Sequence, residues 1–165
     1  MPPVPATHAS ALLRETIDRE LPHLKKVTDE AASQNDGRPG SWTRKQELGH
    51  LIDSATNNHL RIALATINGE FRGEGYAQDE WVEAHGYGEL PWQLLVDLWY
   101  RYNQLLAELM ARVPESHLNN QCLIGWTVVT LRFVMDDYVL HMRHHLDHML
   151  SKDNISTYPS AAAGS

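Results

Sequence analysis

Residues 138–150 read YVLHMRHHLDHML, with histidines at 141, 144, 145 and 148. Apolar residues recur at helical spacing through Leu131, Val134, Met135, Tyr138, Met142, Leu146 and Met149, which predicts a helix from about Thr127 to Leu150. At about 100° per residue, with His141 at the origin, these residues fill an arc centred near 90°. His145 falls at about 40°, inside that arc, and His141 at its margin, while His148 and His144 turn toward water at about −20° and −60°. The more buried pair, His141 and His145, is also an i, i+4 pair, whose imidazoles stand on one helix face and can converge on one ion. Hydrogen-bonded core or surface histidines share this spacing, so a metal site also needs a ligand from another helix.

The stretch LGHLIDSATNNHLR, residues 48–61, offers two histidines for that role. His50 shares a stripe with Glu47, Ser54, Asn57 and Arg61, whereas His59 lies close to the Leu48, Leu51, Ala55, Ile62 arc. Periodicity leaves both open, because a polar stripe facing a cleft has the same pattern as one facing solvent.

Three more helices complete an all-α reading. The first, about Ala6 to Ser33, carries Leu13, Ile17, Leu21, Leu24 and Val27 at helical spacing, with Pro22 inside it. A turn cluster at Asn35-Asp36-Gly37-Arg38-Pro39-Gly40 follows, and Ser41 or Thr43 caps a second helix that runs to about Ile67. The third starts at Pro91 and stops near Pro114, with Leu94, Leu95, Leu98, Trp99, Tyr102, Leu105, Leu106 and Leu109 in its pattern. No run shows strand alternation of useful length. The short turn between the first two helices favours antiparallel neighbours, and the long connection between the second and third implies a crossover. That crossover holds a short helix around Gln78 to Ala84, and Tyr76, Trp81, Tyr87 and Trp92 can anchor it over the bundle as a lid. The expectation is one four-helix bundle domain over residues 1–155, with a small, polar, disordered tail at 156–165.

Composition narrows the function classes. Apolar residues make up 42% of the 165, charged residues 21%, and 14 basic against 21 acidic residues give a formal charge of −7. That balance disfavours phosphate backbones and anionic lipid as partners, so nucleic-acid binding is not expected. The opening MPPVPATHAS has neither a basic nor an apolar signal region, and no stretch approaches the roughly 20 apolar residues of a membrane span. Cys122 is the only cysteine, which excludes an intrachain disulfide and a cysteine metal cluster and fits a cytoplasmic protein. Without an adjacent activating histidine it reads as packing.

Three blocks together, WTRKQELGHLIDSATNNHLR at 42–61, GYAQDEWVEAHGYGELPW at 75–92 and DDYVLHMRHHLDHM at 136–149, resemble the DinB/YfiT-like family of small four-helix metalloproteins. The resemblance covers nearly the whole chain. It implies a bundle in which His50, His141 and His145 hold a divalent metal, nickel or zinc, and it suggests a homodimer. In choosing His50 it overrides the helix wheel; for His141 and His145 it agrees with it. Some relatives in this family transfer thiols, which implies a low-molecular-weight thiol cosubstrate and an S-transferase acting on a small electrophile. A metal-dependent hydrolase and a non-catalytic metal-binding or interaction module are the alternatives.

Three imidazoles leave at least one coordination position open, the pattern of catalytic rather than closed structural sites. In such a position a water has its pKa lowered toward neutrality and a thiol is deprotonated. Asp137, one turn before His141, is a candidate to orient that imidazole, and Glu47 to orient His50 or act as a base. Arg61 and Arg132 are candidates to steer an anionic cosubstrate. The third helix is apolar over an arc of about 160°, which Val96 and Tyr100 extend, and this breadth also points to a homodimer through that side.

Overall fold

A computed structural model of the chain describes residues 6–151. The expected tail at 156–165 lies outside the described residues. Four long helices carry the architecture: α1 (Ala6–Lys26), α3 (Arg44–Asn68), α5 (Trp92–Arg112) and α6 (Leu131–Met149), joined by the one-turn α2 (Asp29–Ala32) and the short α4 (Gln78–His85). No helix among the described residues is long and apolar enough to cross a membrane.

Local chemistry explains the boundaries. The first helix does not run on to Ser33. Thr28 takes an extended backbone, and its side chain accepts a hydrogen bond from Ala31 N, so α2 starts as a separate capped turn. Thr43 forms a full capping box with Gln46 at the start of α3. Gly69, at φ 83°, closes α3 in a left-handed conformation that a residue without Cβ adopts freely. Thr130 caps α6 through Phe133 N, four residues later than the sequence pattern suggested.

Those four residues belong to a small sheet that periodicity missed. Strands β1 (Glu70–Gly73), β2 (Gln121–Ile124) and β3 (Thr127–Thr130) lie in the order β1-β2-β3, with β1 parallel to β2 and β2 antiparallel to β3. Gly125, at φ 61°, stands first in the two-residue β2–β3 turn, where tight hairpins need a positive φ. Strands of four residues are too short for a period of two to register, and β1 finds its parallel partner some fifty residues away.

The bundle order also departs from expectation. α1 packs chiefly against α5, and α3 packs against both α5 and α6, so the first two long helices sit on a diagonal rather than side by side. α1 and α5 run antiparallel, with Ser10 Oγ donating to Ala107 O at one end and Trp92 Nε1 to Leu24 O at the other. α3 and α5 run parallel. Asp29 ties their N-terminal ends together by accepting from Lys45 Nζ and Trp92 N, and His59 meets Tyr102 further along. The connection through α2 and residues 33–43 is long enough to cross the bundle end, which removes the constraint of a tight helical hairpin.

Leu13, Ile17, Leu48, Leu51, Ile62, Leu95, Trp99, Leu106, Met110 and Leu146 are almost wholly buried in one core. Each such side chain contributes roughly 1.5–3 kcal/mol, so the relative register of the helices is costly to shift. At the centre Tyr138 donates to Asn103 Oδ1 at 2.5 Å and Asn103 donates to Trp99 O, a polar link satisfied inside the apolar interior.

Candidate metal centre

The polar stripe of α3 faces inward. Glu47, His50, Ser54, Asn58 and Arg61 are all buried, with Asn58 in the place anticipated for Asn57. α3 and α6 run antiparallel, as Arg44 Nε donating to Met149 O and the pairing of Glu47 with His148 show. This brings His50 opposite the His141/His145 face. The ring centroids of the three histidines lie 5.0, 4.9 and 4.6 Å apart, and one nitrogen from each falls within 4.8 Å of the others. His50 Nε2 and His141 Nε2 are 3.1 Å apart. Ligands held roughly 2.0–2.1 Å from one ion stand at about this separation.

Burial controls the protonation of two of these rings. Desolvation, with the field of His145 added, lowers the His50 pKa to about 3. Desolvation, with the fields of His145, His50 and His144, lowers that of His141 to about 2. Both are therefore neutral imidazoles at neutral pH, the form that coordinates a metal. Two neutral rings that face each other through Nε2 must share a proton or a cation, and three imidazole donors suit zinc, nickel, iron or copper alike. The residues present fit a divalent ion.

Glu47 orients the third ring. Its Oε1 accepts from His145 Nδ1 at 2.9 Å, which directs the lone pair of His145 Nε2 into the centre. From sequence Glu47 is expected to orient His50 or to act as a base; in the structure its partners are His145 and His148. Asp137 lies half-buried one turn before His141, and its charge acts on the buried Arg61 guanidinium. Arg61 is only 3% exposed, so it cannot meet a cosubstrate arriving from solvent. Cys122 is buried, and desolvation pushes its thiol up to about 11, in keeping with packing. His59 pairs with Tyr102 Oη on α5 at 2.8 Å.

A cleft of about 380 Å³ opens over Glu47 and His145, walled by Arg38, Ser41, Trp42, Gln78, Asp79 and His144. Trp42 covers the centre, its ring 5.0 Å from that of His50. Gln78 and Asp79 open α4, so the crossover does form one wall of the cleft. It is pinned to α3 by Tyr87, whose ring lies on Gly49 and whose hydroxyl donates to the buried Asp53 at 2.6 Å. Trp42, Arg38 and the contacts of His148 were not singled out from sequence. Arg38 sits in the turn cluster and Trp42 heads the 42–61 block, but neither signal says what these residues lie over.

No family model matches the chain. It is 31% identical over 143 residues to a protein of Oceanobacillus iheyensis named "Putative metal-dependent hydrolase", covering 80% of this chain and 79% of the relative. A Bacillus cereus protein of the same name is 28% identical over 141 residues, covering 83% and 79%. In three dimensions the chain matches YfiT from Bacillus subtilis, described as "a probable metal-dependent hydrolase with an unusual four-helix bundle topology". That match has a TM-score of 0.77 at 22% identity and covers 89% of this chain and 86% of the other. At this identity the likeness speaks for the fold.

Proposed function

This chain belongs to the DinB/YfiT-like family, and from that membership and the geometry of the centre we propose that it is a metal-dependent enzyme of the hydrolase type, acting on a small molecule in the cleft above His145. The observation that carries the reading is the convergence of His50, His141 and His145, the last of which also lines an open cleft. A zinc or nickel ion held there supplies Lewis acidity and makes a water or thiol acidic near neutral pH.

The protein's own groups prepare the site. Burial keeps His50 and His141 neutral, so they bind without first losing protons. Glu47 fixes the ring of His145 and leaves its Nε2 free to coordinate. The Trp42 indole shields one side from water and offers an apolar wall to a substrate. His144, against His145 at 5.6 Å between ring centroids, stands on the cleft wall.

Names carried by the relatives favour hydrolysis over the thiol transfer that the family resemblance suggested. The two reactions would use the same open position with different nucleophiles. Purified protein, its metal content measured, should be assayed against activated esters and amides and, in parallel, against small electrophiles with a panel of thiols. Metal-dependent turnover without thiol supports the hydrolase. Turnover only with thiol replaces it with the transferase, and a bound ion with no turnover in either panel points to a binding module.

A further inference from the structure

The helix wheel turns His148 toward water, and its side chain keeps 37% exposure. It also stands between two carboxylates. Its Nδ1 is 2.9 and 3.0 Å from the two oxygens of Glu47, and its Nε2 is 3.5 Å from Asp36 Oδ2. Both ring nitrogens face carboxylate oxygens rather than the centre. Glu47 is 5% exposed and also holds His145. Asp36 is gripped in turn by its own loop, accepting from Arg38 N, Arg38 Nε and Ser41 Oγ at 3.0, 2.8 and 2.7 Å. A continuous series of contacts therefore runs from a metal ligand, through Glu47 and His148, to the loop at residues 35–41. That loop supplies Arg38, Gly40 and Ser41 to the cleft, and Trp42 follows it directly.

We propose that His148 and Asp36 are positioning residues that couple the metal centre to this loop, so that loading the three histidines organises the loop wall of the cleft. The inference rests on the three-histidine reading. Fixing His145 on an ion fixes Glu47, and Glu47 then holds His148 where Asp36 can dock. By reciprocity, a docked loop raises the affinity of the centre. Removing a partner behind a histidine ligand commonly costs about 10–100-fold in metal affinity.

Full-length protein titrated with Co²⁺ tests this, with visible absorption reporting ligand geometry and hydrogen–deuterium exchange reporting residues 35–41. His148→Ala should weaken Co²⁺ binding about tenfold, and should add little in a Glu47→Ala background, because it acts through Glu47. His148→Asn places an amide nitrogen where Nδ1 was. It should restore the cobalt spectrum and most of the affinity, falling short of the wild type only by the part that the docked loop contributes, while losing the Co²⁺-induced protection of the loop; Asp36→Asn should show the same small loss of affinity with the same loss of protection. Because Asn retains the Glu47 contact, its behaviour also separates positioning from misfolding. Wild-type affinity in His148→Ala, additive losses in the double variant, failure of Asn to rescue, or no Co²⁺-induced protection in the wild type would each overturn the coupling. A wild type that binds no Co²⁺ removes the three-histidine reading itself, a different result from a wild type that binds with His148→Ala unaffected.

Discussion

The Nε2 atoms of His50 and His141, 91 residues apart in the chain, face each other at 3.1 Å in a space nearly closed to water. Two neutral imidazoles so placed form half of a coordination sphere, and His145 adds a third nitrogen. Separate replacement of His50, His141 and His145 by Ala should therefore abolish stoichiometric zinc or nickel, while His59→Ala and His144→Ala should leave it in place. Elemental analysis of the purified variants checks this. Retention of metal by His141→Ala with loss in His144→Ala would show that the opposite face of α6 binds the ion.

Acid should weaken the metal-free protein through the same two rings. Their folded pKa values, about 3 and about 2, lie below the ~6.5 of an unfolded histidine, so below pH 6.5 the unfolded chain takes up protons that the folded site refuses. Their burial carries no protonation penalty above that pH. As pH falls toward the folded values, each group removes at most about 1.4 kcal/mol per pH unit. Melting temperatures in chelator between pH 7 and 5 should fall, and His141→Leu should flatten the slope. A profile equally steep in that variant would assign the acid sensitivity to other groups.

Gly49 is required by its neighbour rather than by its backbone. A Cβ at this position would run into the Tyr87 ring, which pins the crossover beside the centre. Gly49→Ala should destabilise the fold by about 1–3 kcal/mol, the usual cost of overpacking. Tyr87→Phe should cost about 1–3 kcal/mol by a different route, since it leaves the buried Asp53 carboxylate without its hydroxyl donor. Denaturant unfolding measures both, and neutrality of Gly49→Ala would mean that the Tyr87 ring moves aside freely.

A homodimer through α5 is also expected, by a smaller surface than the sequence suggested. Val96 is fully buried in the core, and Tyr100 is half-buried and donates to Asp18 of α1, so neither extends the outer face. Leu94, Leu98 and Leu105 remain exposed along one stripe of the helix. Sedimentation should give a dimer mass that Leu98→Asp combined with Leu105→Asp reduces to a monomer. A monomer at every concentration in the unaltered protein excludes this assembly.

What could be read from the residues alone followed from local geometry. The 3.6-residue repeat places His141 and His145 on one face of α6 whatever surrounds it, and Thr43 with Gln46 caps α3 through bonds that span three residues. The stripe through Glu47, His50 and Arg61 was equally visible, but periodicity records only that a face is polar. Its inward direction depends on α6 lying antiparallel across it with histidines of its own, a pairing between segments far apart in the chain. The diagonal placement of α1 and α3, the pairing of β1 with β2, and the contacts of Glu47 with His145 and of His148 with Asp36 are likewise decided by packing between distant elements. Such contacts leave no mark on the repeat of either partner, so only the tertiary structure decided them.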